Sequence, residues 1–296
     1  MADSLEGKVA SWLREQGYPL EMEAAWFGKD IGFEVSQSDY YIDPESDQPR
    51  EIDLVLTAQQ FRSRFSVSYN LFVECKSSRD KPWLLFSTEN HLVPPYKDKY
   101  SLGPLTVYGA MISNDLGRDL LLKSMFDGNR ENIYPRLDTG PTLGYGVTQA
   151  FGQASDVPFK ALMSASKAAL SYVKRFGSLE FLSIPFLIAV PVVLIDVPLL
   201  SVVYTPGSPD LDIREIDRGL LLWKHMVGGR SRIGIYIVQR SDFPSFLHDC
   251  YKSAKWWTEV SDETLGEIYA RKYPESKNVI PNPLVQPTGQ KQPAAD

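Results

Sequence analysis

A chain of 296 residues, 43% of them hydrophobic and 23% charged, is long enough for one large domain or two ordinary ones and has the composition of a globular protein. Its formal charge of −6 excludes a protein that grips nucleic acid through bulk positive charge, but not one with a local basic groove. Two isolated cysteines, Cys75 and Cys250, and three histidines provide neither a disulfide framework nor a Cys/His cluster of the kind that holds zinc.

Residues 4–16 predict a helix. Leu5, Val9, Trp12 and Leu13 share one face, Ser4 can cap the start and Gly17 can end it. The start of the chain lacks a signal peptide's apolar stretch, so a cytoplasmic protein is expected. Residues 18–27 read as an extended segment of ambiguous type. Residues 32–42 read as a strand, 43–49 (DPESDQP) as a turn and 50–57 (REIDLVLT) as a second strand, with Ile52, Leu54 and Leu56 alternating with Asp53 and Val55. A third strand spans 66–77. Val67, Tyr69, Leu71, Val73 and Cys75 share one of its faces, and Phe72, Glu74 and Lys76 the other.

Residues 81–158 are rich in aromatics, Gly and Pro and hold only short periodic pieces such as 117–126, which suggests a large insertion or an elaborated lid. Residues 159–176 predict a helix that buries Leu162, Ala165, Ala169, Leu170 and Val173. The apolar run 181–204 has the length of a membrane span. Pro185, Pro191, Asp196 and Pro198 interrupt it, so it reads as two buried strands, 186–195 and 199–204, and no membrane is expected as partner. Residues 213–225 read as a strand or loop ending in a short helix, 232–239 as a strand and 243–257 as a helix. From 273 to 296 the chain is rich in Pro, Gln and Asn and reads as a disordered tail, leaving 1–272 as a single domain.

The chemistry concentrates on the second and third strands. Asp53 and Glu74 lie on neighbouring strands, so two carboxylates can meet at one point of the sheet. Lys76, two residues after Glu74, points the same way. Carboxylates suit hard cations such as Mg²⁺ or Mn²⁺. A bound metal polarises a phosphodiester and lowers the pKa of a water, and an adjacent ammonium can orient that water or stabilise charge on phosphorus. In LFVECKSS the charged residues sit inside an apolar strand, where charge is costly. The ordinary alternative is a solvated strand face carrying a surface ion pair.

The helix LEGKVASWLREQGY, followed by REIDLVL and LFVECKSS, resembles the PD-(D/E)xK nuclease superfamily, in particular its Mrr-like and Holliday-junction-resolvase-like branches. The resemblance implies a restriction-endonuclease-like α-β-β-β-α-β core with a mixed central sheet and a large insertion. It also implies Mg²⁺-dependent hydrolysis of DNA, in restriction, antiviral defence or repair. Asp53 and Glu74 would be metal ligands together with the backbone carbonyl of Cys75. Lys76 would assist the water and Glu6 would be the helix acid. Ile52 stands before Asp53 where the family motif has Pro. The alternatives are an RNase, a nuclease subunit dependent on a defence-complex partner, and an inactive nuclease-fold scaffold that binds nucleic acid or protein. A homodimer is a further expectation of the resemblance.

Other residues carry two readings. Glu6 also fits an ordinary first-turn acid that favours the helix dipole. Arg50 can touch phosphate or simply be a solvated strand-edge cation. Lys160 and Lys167, seven apart and continued by Lys174, form either a DNA-backbone stripe or a solvated helix face. Cys75 reads as a buried structural thiol rather than a nucleophile.

Overall fold

Two glycines in left-handed conformation, Gly17 (φ 87°) and Gly32 (φ 116°), punctuate the N-terminal region. A computed structural model describes residues 4–77, 81–87, 112–126, 142–151, 157–177, 183–223 and 233–274. Helix α1 (Leu5–Gln16) starts at Ser4, whose hydroxyl accepts from the Gly7 amide, and stops at Gly17. Helix α2 (Tyr18–Ile31) follows at once, with Pro19 in its first turn and Gly32 at its end. The segment 18–27, expected to be extended, is therefore helical. Leu20, Ala24, Ala25 and Gly28 pack inward, while Tyr18, Met22 and Trp26 point outward.

The described residues form a mixed α/β protein with one eleven-stranded mixed sheet and six helices. After α2 come β1 (Glu34–Ile42), β2 (Pro49–Phe61), β3 (Phe65–Lys76), β4 (Trp83–Ser87), β5 (Ile112–Ser113), α3 (Asp115–Phe126), β6 (Thr142–Gln149) and α4 (Val157–Phe176). The remainder is β7 (Ile184–Ile195), β8 (Leu199–Tyr204), β9 (Leu211–Glu215), β10 (Arg218–Trp223), β11 (Ile233–Gln239), α5 (Phe243–Thr258) and α6 (Asp262–Lys272). The strand order is β1-β2-β3-β7-β11-β10-β6-β4-β8-β9, and β5 pairs with β7 beside β11. β1, β2 and β3 are an antiparallel meander, whereas β3, β7 and β11 run parallel.

β7 shows how the core divides. Phe186, Ile188, Val190, Val192 and Leu194 face one cluster with α2, α3, α5 and α6. Ala189, Val193 and Ile195 face the other, under α4. The apolar run 181–204 thus contains strands, and no described helix is long and apolar enough to cross a membrane. Pro191 sits between the part of β7 paired with β5 (188–189) and the part paired with β11 (192–195), where a missing N–H does least harm.

Three expectations change. The described parts of 81–158 place β4, β5 and β6 in the one sheet and α3 against β7, rather than hanging as a lid outside the core. Residues 213–225 contain β9 and β10 and no helix among those described. Helix α6, capped by Ser261, lies between the expected last helix and the expected tail. Of that tail, 275–296 lie outside the described residues.

Candidate functional site at a fork in the sheet

β2 and β3 leave the tight turn at Arg62, whose amide donates to Phe65 O at 2.9 Å, and pair as far as Leu54–Val73. Beyond that point they part. β2 stays with β1 to Pro49–Ile42, and β3 stays with β7 to Lys76–Ile195. Asp53 and Glu74 are the first residues past the fork. The Asp53 carboxylate replaces the lost backbone partner, its Oδ2 accepting from the Cys75 amide at 2.6 Å.

The fork coincides with a break in alternation. Leu54 and Leu56 face the cluster under α2 and α5, but Ile52 joins the opposite cluster with Val55. The expected Ile52–Leu54–Leu56 face is therefore broken at Asp53. Opposite Asp53, between the pairs Gln37–Leu54 and Asp39–Ile52, lies Ser38 with φ 49°, a left-handed conformation unusual for a residue with a Cβ. Both strands switch faces together, so their pairing resumes in register while the side chains swap sides.

Glu74 is buried and held on both oxygens. Lys76 Nζ donates to Oε1 at 2.5 Å, and Ser164 Oγ of α4 donates to Oε2 at 2.6 Å. The Tyr41 phenol of β1 lies beside the same Ser164, within electrostatic reach of Glu74. Among the described residues, Asp53 Oδ1 takes no hydrogen bond. From the other side of the sheet α2 brings Glu21 within electrostatic reach of Asp53, Lys76, Glu51 and Glu74.

Negative charge exceeds positive charge at this point. Burial raises the Asp53 carboxyl above its ordinary range, with the Cys75 amide and Lys76 opposing. Burial, then the charge of Asp53, raises Glu74. Burial and Asp53 push Glu21 up to about 7. Burial alone would lower Lys76, but the Glu74 and Asp53 carboxylates outweigh it and keep the ammonium protonated. A hard cation would relieve this imbalance.

The donor set fits Mg²⁺ or Mn²⁺ in chemistry. The described residues contain no group of three or more His, Cys, Asp or Glu side chains placed to hold a metal ion. Magnesium does not require such a cage. It commonly takes one or two carboxylates, keeps several waters and shares substrate phosphates. Asp53, with Oδ1 open, and Glu74, with lone pairs beyond its two hydrogen bonds, are the carboxylates that would serve. The Cys75 carbonyl is a neighbouring oxygen.

The expected helix acid is placed elsewhere. Glu6 is fully exposed on α1, and the groups that lower its carboxyl are its own backbone amide and the Ser4 hydroxyl. Glu21, one helix later, is the α2 acid within electrostatic reach of Asp53 and Glu74. Lys167 is not open for phosphate, because it bridges Asp43 at 2.9 Å and Glu45 at 2.8 Å. Arg50 is mostly exposed, with its Nε 4.0 Å from Asp43. Lys160 is exposed on α4, and Cys75 is a buried thiol whose pKa burial raises further.

Sequence reasoning missed Glu21, Ser164, Tyr41 and Arg240. The last lies at the carboxyl ends of the parallel strands, where open α/β sheets place ligands. There the Asp196 amide donates to Lys76 O at 3.1 Å and the Arg240 amide to Ile195 O at 2.9 Å. The Arg240 guanidinium pairs with Asp196 at 3.3 Å and with Glu23 of α2, which ties that helix to the edge of the site. On the other flank, a groove of about 590 Å³ runs between β1, β2 and α4 past Tyr40, Tyr41, Tyr172, Lys174 and Arg175. Asp39 and Asp47 also line it. Compared with family models, curated proteins and solved structures, the chain matches none.

Proposed function

We propose that this protein is a divalent-cation-dependent nuclease with a restriction-endonuclease-like core, hydrolysing DNA phosphodiester bonds. The observation that carries the reading is the fork. Two strands part so that Asp53, Glu74 and Lys76 stand together at the carboxyl end of parallel strands, in a site short of positive charge. A bound Mg²⁺ or Mn²⁺ would polarise the phosphodiester and lower the pKa of an attacking water.

The chain's own groups have separate tasks. Asp53 and Glu74 offer oxygen ligands, and Ser164 and Lys76 fix the rotamer of Glu74. Lys76 keeps its proton and can hold the water or the developing charge on phosphorus. Glu21, whose carboxyl burial and Asp53 push up to about 7, adds a third acid within electrostatic reach of Asp53 and Glu74. The aromatic groove with Lys174 and Arg175 offers a path for the flanking strand.

A second reading has its own support. Both Glu74 oxygens already have protein partners, as in a nuclease-fold scaffold that no longer cuts. Cleavage of single- and double-stranded DNA and RNA with Mg²⁺ or Mn²⁺ separates the readings. DNA cleavage by the wild type and its loss in Asp53→Asn and Lys76→Ala, with circular dichroism unchanged, is the expected result. Asn keeps the oxygen that accepts from Cys75, so Asp53→Asn tests charge rather than folding. No cleavage of any substrate together with no saturable Mn²⁺ binding would favour the scaffold; saturable Mn²⁺ binding lost in Asp53→Asn would argue against it. Equal cleavage by Lys76→Ala and wild type would remove Lys76 from the mechanism.

A further inference from the structure

Helix α1 has an apolar stripe that no described residue buries. None of its described side chains is buried. Leu5, Val9 and Trp12 repeat at helical spacing, and on α2 Tyr18, Met22 and Trp26 do the same. These six side chains are between 43% and 74% exposed. The stripes meet at the Gly17 turn, where the rings of Trp12 and Tyr18 lie 6.1 Å apart. A helix in water draws most of its stability from a packed apolar face, and the described residues bury none of α1.

We infer that the stripes are the two halves of a reciprocal dimer contact, α1 of one copy lying along α2 of a second and the reverse. Length favours this occupant. Leu5 to Trp12 covers about 10 Å of helix and Tyr18 to Trp26 about 12 Å, so one stripe matches the other. Area favours it too. Six such side chains at this exposure present roughly 600–700 Å², close to the ~800 Å² each partner contributes to a standard interface. Each copy carries both halves, so the contact closes on itself with two-fold symmetry. Charge argues against a lipid surface. The charges of α1 (Glu6, Lys8, Arg14, Glu15) cancel and those of α2 (Glu21, Glu23, Lys29, Asp30) are net acidic, so these helices have no basic excess for an anionic membrane.

The contact would also bear on the site. α2 carries Glu21 and Glu23, so a second copy seated on its outer face would press the helix toward the fork. The inference stands independently of the nuclease reading.

Sedimentation velocity of the full chain at micromolar concentration tests it. The wild type should sediment at twice the 33.4 kDa monomer mass. Trp12→Glu and Trp26→Glu should each weaken association roughly 30-fold or more, the loss expected of a central tryptophan anchor. Both side chains are exposed in the single chain, so circular dichroism should be unchanged. Size-tagged chains carrying Val9→Cys or Met22→Cys, mixed and oxidised, should cross-link Val9→Cys chains to Met22→Cys chains. A monomeric wild type, a Trp12→Glu dimer of undiminished affinity, or cross-linking only between Val9→Cys chains would overturn the inference.

Discussion

Lys76→Met is the sharpest probe of the fork, because it keeps the aliphatic stem and removes the ammonium 2.5 Å from Glu74 Oε1. The Glu74 side chain is 10% exposed and that of Lys76 28%. Removing one member of a fully buried pair costs about 3–5 kcal/mol, and partial access to water at Lys76 brings the expectation to about 2–3 kcal/mol. Protonation of Glu74 sets a ceiling that depends on pH. From an ordinary value of 4.5, neutralising the carboxyl takes about 5 kcal/mol at pH 8 but under about 1 kcal/mol at pH 5. The folded-state pKa of Glu74 is raised, and losing Lys76 raises it further. The variant therefore loses stability as pH rises above 4.5. Urea unfolding in chelator should show a deficit of about 2–3 kcal/mol at pH 8 and about 1 kcal/mol or less at pH 5. Equal deficits at the two pH values would refute the account of Glu74 as a buried carboxylate kept charged by Lys76.

Two further predictions use other parts of the molecule. Glu21 titrates near 7 when folded and at an ordinary 4.5 when unfolded, so its ionisation weakens the fold as pH rises through that window. The gap corresponds to roughly 3 kcal/mol unscreened, and to about 1 kcal/mol for a partly exposed carboxylate. Glu21→Gln should melt about 2 °C above wild type at pH 8 and level with it at pH 4.5 by calorimetry; an unchanged difference across that range would contradict the placement of Glu21. At the start of α3, Asn114 Oδ1 accepts from the Gly117 and Leu187 amides at 2.9 and 3.0 Å, and its Nδ2 donates to Pro185 O at 2.7 Å. Asn114→Ala strands three buried backbone groups and should cost about 2–4 kcal/mol in urea unfolding; an unchanged midpoint would contradict that bonding.

The strands that carry Asp53, Glu74 and Lys76 were legible because their two faces meet different surroundings. In β3 the alternation of Val67, Tyr69, Leu71, Val73 and Cys75 with Phe72 is the alternation between the two core clusters. Helix α2 was hidden for the opposite reason. Its inner Leu20, Ala24 and Ala25 and its outer Tyr18, Met22 and Trp26 make it apolar almost all round, which erases the period of a half-buried helix. With the helix went Glu21, the acid of α2 that lies within electrostatic reach of Asp53 and Glu74. The signals that could have found α2 are Pro19 after one glycine and Gly32 at the other end. Helix α6 had a full set of end signals, with Ser261, Asp262 and Glu263 at its start and Arg271 and Lys272 at its end. The break at Asp53 left no trace, because Ser38 is not a residue type that announces a left-handed turn. Ser164 and Tyr41 reach Glu74 only through tertiary packing of α4 and β1, which no local pattern encodes.

The Cys75 amide is tethered to a titrating carboxylate where its strand parts from β2. Its proton resonance therefore senses the electrical state of Asp53 directly. A nitrogen–proton correlation spectrum contains one backbone signal that should move when the carboxylate is protonated, replaced by an amide, or drawn toward a cation. The fork thus comes with a built-in gauge, readable in solution without substrate, turnover or an attached dye.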